Sequence, residues 1–402
     1  MAEGGRRRLS VLYPGLAAVL VLVVGAILAR TTFAPDQPGD ELSPLDRFYR
    51  PPVPFTAGDP GDLVRREPVG RGELAGSVFR VMYHSRSLVG RDIAVTGLVI
   101  VPAGPVPDDG RPIVTIGHPS TGVADVCAPS RSVDNPTPEL VNRFLARGWV
   151  VAISDYEGQG PPGRHPYLVG PSEGRSLLDI ARAARRLPSA QAGNRVGIWG
   201  HSQGGHAALF AQQIASSWAP ELRVVGAVAA APVTSVLEFL GASGFSGTSV
   251  TLLTVAGYSA AYPELRPEQV LSDAALAKLD VVDRQCLGSF GTRLDDLDPS
   301  EVYRTDLARL QPWRMRLDEN AAGAIKGAAP VLIMQGEADQ VIAANTATKL
   351  FARMCRTGQN VDLRLVADVD HGGIVDQTAD EVADWIAARF GAEPARSTCG
   401  RS

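Results

Sequence analysis

Short runs of valine, isoleucine, leucine and alanine punctuate the chain, bounded by glycine, proline and aspartate, and the stretches between them repeat apolar residues at helical spacing. The runs predict eight strands, at 77–83, 93–101, 113–116, 149–154, 196–199, 224–230, 331–334 and 363–366. Helical patterns fall between them at 138–147, 172–187, 205–217 and 378–390. Strands alternating with crossover helices predict an α/β protein built on a mostly parallel eight-stranded sheet. The stretch 235–327 breaks the alternation. Its segments 237–240, 250–262, 267–279 and 299–310 read as short helices inserted between the sixth and seventh strands. An insertion there lies over the carboxyl edge of the sheet, so it is expected to act as a cap or lid with an apolar acyl-binding wall. Leu252 to Ala256 and the group Leu237, Phe239 and Leu240 are the expected acyl contacts.

The amino terminus has a different pattern. Arg6, Arg7 and Arg8 precede an apolar stretch at 9–29, and the small-residue site Thr32-Phe33-Ala34 follows. A charged head, an apolar body and a small-residue exit describe a signal peptide, and the body is also long enough for a retained membrane anchor. Either reading puts the rest of the chain outside the cell. The expected organisation is therefore a signal peptide or anchor (1–34), a proline-rich linker and extension (35–76), a core in two parts (77–234 and 328–392) flanking the cap (235–327), and a tail (393–402).

Charge and cysteine content narrow the choice of function. With 39 Lys and Arg against 43 Asp and Glu among 402 residues, the net charge is −4, and nucleic acid is excluded as a partner because no basic excess exists to meet phosphates. Cys127, Cys286, Cys355 and Cys399 form an even set that allows three pairings, in keeping with an oxidising, extracellular setting.

Candidate chemistry sits after the fifth expected strand. Gly200-His201-Ser202-Gln203-Gly204 joins the run Val196-Gly197-Ile198-Trp199 to a helix, and G-x-S-x-G in that setting is a nucleophile elbow. Serine needs a base and an orienting acid, which in this fold follow in the order serine, acid, histidine. His84, His118 and His165 come too early in the chain, and His201 and His206 belong to the elbow itself. His371, in Asp368-Val369-Asp370-His371-Gly372-Gly373, remains. For the acid, Asp339 follows a buried-strand pattern at the sheet's carboxyl edge, with Glu337 as the alternative and Asp368 and Asp370 too near His371 to orient it independently. An oxyanion hole takes one N–H from the residue after the serine, Gln203, and one from the loop Gly117-His118-Pro119-Ser120-Thr121-Gly122, where Thr121 or Ser120 is the candidate. Asp155 and Glu157, after the fourth strand, are expected to hold loops by hydrogen bonding, and His206 to be structural. The spacing of His201 and His206 is not a zinc motif, so neither metal nor cofactor is expected.

Taken together, Gly-His-Pro-Ser-Thr-Gly at 117–122, Cys127-Ala128-Pro129-Ser130, Asp155-Tyr156-Glu157-Gly158, Gly200-His201-Ser202-Gln203-Gly204-Gly205 and Ala231-Pro232-Val233-Thr234 resemble the secretory lipase family of α/β-hydrolases, from about Phe48 to Phe390. The resemblance implies the α/β-hydrolase fold and an exported hydrolase of triacylglycerols and simpler esters, with lipid-interface or membrane contact in view. It places nucleophile, acid and histidine on Ser202, Asp339 and His371. With locality in the chain, it also implies the disulfides Cys127 with Cys286 and Cys355 with Cys399. One departure is the absence of an acidic residue at 118–122, where the family's yeast lipase carries aspartate. A serine peptidase, an acyltransferase and a non-catalytic binding protein on the same scaffold are the competing expectations. Oligomeric state is not legible in the sequence.

Overall fold

The computed structural model describes residues 42–133, 137–241, 247–290, 294 and 297–400. The expected signal peptide or anchor lies outside these residues. Nine strands form one sheet in the order β1-β2-β3-β5-β4-β6-β7-β8-β9. They are β1 (Leu63–Val69), β2 (Gly76–Arg86), β3 (Asp92–Pro102), β4 (Arg111–Gly117), β5 (Val150–Ser154), β6 (Ala192–His201), β7 (Arg223–Ala230), β8 (Val331–Gly336) and β9 (Val361–Val366). Strands β1, β2, β3 and β5 pair antiparallel in succession. From β5 through β4, β6, β7 and β8 to β9 every pairing is parallel.

The sheet is covered on both faces, which explains why its central strands are apolar throughout. Val150 and Ala152 pack with the helices Gly170–Arg186 and Gln203–Trp218, whereas Val151 and Ile153 pack with Pro138–Ala146 on the opposite face. The same alternation runs along β8, where Val331 and Ile333 face one layer and Leu332 and Met334 the other. Helix Ala379–Phe390 completes the second layer. This three-layer order, with an elbow after β6, is the α/β-hydrolase fold.

One strand more is present than the hydrophobic pattern predicts. Strand β1, Leu-Val-Arg-Arg-Glu-Pro-Val, is an edge strand with three charged residues and a proline, so it lacks the continuous apolar run that marks the others. The expected linker and extension thus contains a strand, and the cap falls between β7 and β8, the same two strands counted sixth and seventh from sequence.

The insertion has an apolar core of its own, built around Leu252, Leu253, Val255, Tyr258 and Trp313. Its helices include Val236–Gly241, Gly247–Ala261 and Gln311–Glu319. Two corrections follow. Between 299 and 310 only the single turn Pro299–Glu301 is helical, and the next helix starts at Gln311. Leu252, Leu253, Val255 and Ala256 are fully buried in the cap core and do not form an acyl wall.

Candidate active site

Ser202 sits at φ 58° and ψ −117°, a conformation costly for any residue with a side chain. The turn is held by Ser202 N–H donating to Ala230 O on β7 at 2.9 Å and by Val233 N–H donating to Ser202 O at 3.3 Å. Both elbow glycines are steric requirements. A Cβ on Gly200 would lie 1.9 Å from Gly204 O, and one on Gly204 would lie 1.9 Å from Gly117 O. The serine residue keeps 7% exposure. Gln203 opens the elbow helix Gln203–Trp218, so its N–H has no acceptor within the helix.

Asp339 follows β8 directly, and its Oδ2 lies 2.8 Å from His371 Nδ1. Its Oδ1 accepts the Val341 and Ile342 N–H groups, each at 2.8 Å, and Gln335 Nε2 donates to Oδ2 at 3.0 Å. Burial pushes the carboxyl up, but the hydrogen bonds and the imidazole outweigh it, so the pKa lies below the ordinary aspartate value. Glu337, Asp368 and Asp370 are exposed, and Asp370 accepts Gly373 N–H instead. His371 reaches the elbow from beyond β9. Its backbone oxygen accepts from His201 Nε2 at 2.8 Å, and the two rings lie 4.6 Å apart. No hydrogen bond joins the Ser202 and His371 side chains among the described residues; in unliganded active sites such bonds are often long.

The 117–122 loop is fastened on several sides. Gln159 Nε2 donates to Thr121 Oγ1 at 3.0 Å and to Gly122 O at 2.7 Å. Leu287 N–H, from the cap, donates to Thr121 O at 2.8 Å, and the Cys127–Cys286 disulfide joins the same two segments. Ser120 Oγ is 2.7 Å from Tyr167 Oη. Neither the Ser120 nor the Thr121 N–H has an acceptor among the described residues, so both are free to face a ligand. The second disulfide is Cys355–Cys399.

Beneath the elbow lies a polar cluster that sequence reasoning missed. Glu173, fully buried, accepts from Leu168 N–H at 3.0 Å and Gln203 Nε2 at 2.8 Å through Oε1, and its Oε2 lies 2.7 Å from His206 Nδ1. His206 Nε2 donates to Asn320 O at 2.9 Å, tying the elbow helix to the end of the cap. His165 bonds Glu157 O through Nδ1 and the Gln203 amide through Nε2. Asp155 accepts from Thr96 Oγ1 at 2.6 Å and Ser130 N–H at 2.8 Å, and Glu157 accepts from Ser172 Oγ at 2.6 Å; both serve loops. Burial raises Asp155 to about 6. His84 pairs with Asp92, and His118 bonds Pro119 O. Leu237 and Leu240 line a cap pocket of about 400 Å³ with Tyr303 and Leu307. No cluster of metal ligands occurs among the described residues.

A serine on a strained elbow, with an aspartate–histidine pair delivered to the same sheet edge, defines the class: a serine ester hydrolase of the α/β-hydrolase fold. The secretory lipase sequence profile matches residues 137–398, and the chain belongs to that family. A Mycobacterium tuberculosis protein named "Probable inactive lipase" is 26% identical, the match covering 87% of this chain and 82% of the relative. Lipase 10 of Candida albicans is 24% identical, covering 89% and 83%. The crystal structure of Candida antarctica lipase A superposes with a TM-score of 0.74 at 22% identity over 88% of this chain and 87% of that one, a likeness of fold. No helix among the described residues is long and apolar enough to cross a membrane.

Proposed function

We propose that this chain is an exported carboxylic-ester hydrolase that works through an acyl-enzyme on Ser202. The Ser202 hydroxyl attacks the ester carbonyl while His371 Nε2 takes its proton, and the same proton then goes to the departing alcohol. Asp339 holds Nδ1 and stabilises the imidazolium. The Gln203 N–H and one N–H from Ser120 or Thr121 receive the developing oxyanion. Water, deprotonated by His371, attacks the acyl-enzyme and releases the carboxylic acid and free serine.

The observation that carries the reading is the 2.8 Å contact between Asp339 and His371 Nδ1, on a loop hydrogen-bonded to the residue next to Ser202. Acyl esters are the substrate class, and triacylglycerols fit the family. Two disulfides and the amino-terminal pattern support export, by cleaved signal or retained anchor. The proposed division keeps 77–234 and 328–392 as the hydrolase core and 235–327 as its cap.

A panel of p-nitrophenyl esters from acetate to palmitate tests the proposal with wild type and Ser202→Ala. Wild type is expected to hydrolyse part of the panel and to be labelled at Ser202 by a fluorophosphonate. The alanine variant is expected to lose kcat by about 10⁶-fold. Hydrolysis retained by the variant overturns the mechanism, and a wild type inert to both probes identifies a binding protein on a hydrolase scaffold.

A further inference from the structure

The loop that carries His371 has a long way to travel. It leaves β9 at Val366, and β9 is separated from β6 by β7 and β8, three inter-strand spacings or about 14 Å. To meet Ser202 at the end of β6 the loop must cross back over two strands. It is anchored midway, where Val369 O accepts the Ala338 N–H at 3.0 Å. Between that point and the helix Gly373–Gln377, two hydrogen bonds among the described residues tie the loop to other segments, one joining His371 Nδ1 and Asp339 Oδ2 at 2.8 Å and one from His201 Nε2 to His371 O at 2.8 Å.

We propose that His201, the residue preceding the nucleophile, is a positioning residue that sets the spacing between Ser202 and His371 by clamping the backbone of the catalytic loop to the elbow. The proposal rests on the triad reading above. Asp339 fixes the imidazole by its Nδ1 edge, and the helix Gly373–Gln377, with Ile374 and Val375 buried, fixes the far end of the loop, but neither contact refers the His371 backbone to the elbow. A fixed point on the elbow itself sets the distance from Nε2 to the serine. His201 supplies it from the strand that also carries the serine, so both partners share one frame. The His201 ring is well placed for this. It is 6% exposed, its Nε2 must donate because its partner is a carbonyl, and it lies 4.6 Å from the ring it positions, tilted by 42°. Burial lowers its pKa to about 4, so the clamp stays neutral and adds no positive charge beside the imidazolium that forms on His371 during each turnover.

The clamp depends on one atom's position, which makes it separable from simple packing. In the full chain, His201→Gln carries an amide N–H to where Nε2 lies, whereas His201→Asn is one methylene shorter and reaches only the level of Nδ1. His201→Phe keeps the ring and loses the donor. The expected result with a soluble p-nitrophenyl ester is that Asn and Phe lower kcat by roughly 10- to 100-fold with KM within about twofold, as misplacement by about 1 Å costs. Fluorophosphonate labelling of Ser202 should slow in the same proportion, and Gln should stay within about threefold of wild type. Equal kcat for Gln and Asn at matched thermal stability overturns the clamp, as does a fully active Phe variant. If Phe fails to fold, the Gln and Asn pair still decides. Loss of all ester hydrolysis by wild type would sink the triad reading, a separate outcome.

Discussion

Two imidazole–carboxylate pairs lie close to the elbow, one at the sheet edge and one beneath the elbow helix, and their first contacts are nearly the same. His371 Nδ1 is 2.8 Å from Asp339, and His206 Nδ1 is 2.7 Å from Glu173. They differ at the other ring nitrogen. His206 Nε2 is spent on Asn320 O, and both partners of the pair are fully buried. His371 Nε2 has no hydrogen bond among the described residues, and its side chain keeps 18% exposure. A third pair, His84 with Asp92 at 2.9 Å, makes the same point: Phe55 stacks on the ring at 4.7 Å and Gly58 packs against its outer edge. A carboxylate on Nδ1 is thus common in this molecule, and a partly exposed Nε2 with no hydrogen bond among the described residues is what distinguishes the pair proposed to be reactive.

The sharpest way to break that comparison is to neutralise each carboxylate in turn. Asp339→Asn is expected to lower kcat by about 10⁴-fold, because the amide favours the wrong imidazole tautomer. Asp92→Asn should leave kcat within about twofold while lowering thermal stability, since Asp92 also holds Arg86 at 2.6 Å and the Gly58 N–H at 3.0 Å. Steady-state kinetics on both variants with one soluble ester decides it. Equal losses would mean that the pairs are not functionally distinct.

Glu173 is the next test, on stability. Removing a buried acceptor strands its donors, and Glu173→Ala would leave His206 Nδ1 and the Leu168 N–H without an acceptor and the Gln203 amide with His165 alone. The expected cost is about 3–5 kcal/mol in chemical denaturation, at about 1–3 kcal/mol for each buried group left unpaired. A loss below about 1 kcal/mol would show that the cluster relaxes around the gap.

Of this second cluster, the sequence showed only that His206 is structural. Glu173 stands in Pro-Ser-Glu-Gly-Arg, which looks like the first turn of a solvated helix, and its partners His206 and Gln203 lie 33 and 30 positions away. Gln159, which fastens Thr121 across 38 positions, was equally invisible. Local patterns carry geometry that is itself local. The elbow is such a case, because its glycines meet atoms within a few residues or on the adjacent strand, and chain order in the fold was enough to single out His371 and Asp339 as candidates. The central strands were legible because burial on both faces leaves an apolar run. Strand β1 was not, and neither was helix Ala344–Arg356, whose buried face consists of Ala347, Leu350 and Met354 among polar residues. The cap was legible as an interruption, but its inner and outer apolar faces look alike in sequence, so Leu252 to Ala256 were expected at the acyl wall and lie in the core.

The loop 117–122 gives a smaller effect and settles an open choice. Proline at one position removes one backbone donor, so Ser120→Pro and Thr121→Pro probe the two candidate N–H groups separately. The true donor is expected to cost roughly 3 kcal/mol of transition-state stabilisation, read as a fall in kcat of at least about 10²-fold. Ser120→Ala controls for the lost contact with Tyr167. Equal, mild losses from both prolines would place the second donor elsewhere.

The smallest effect concerns the histidines that burial makes harder to protonate. Burial holds both His118 and His201 down to about 4, and lowers His165 as well. A histidine whose pKa is lower folded than unfolded stays neutral in the native state while the unfolded chain takes up a proton. Its contribution is therefore constant above the unfolded value of about 6.5 and erodes as pH falls from there to about 4. For His201 that window could cost up to about 3 kcal/mol, at about 1.4 kcal/mol per pH unit. Asp155, raised to about 6 by burial, works in the opposite direction, because its folded form binds a proton more readily than the unfolded chain. Comparing wild type with His201→Gln at each pH cancels that opposing contribution. The stability difference between the two proteins should stay flat from pH 8 to about 6.5 and then shift steadily toward the glutamine variant down to about pH 4. Parallel curves across the window would mean that His201 is protonated as easily in the folded chain as in the unfolded one, and that the clamp does not stay neutral.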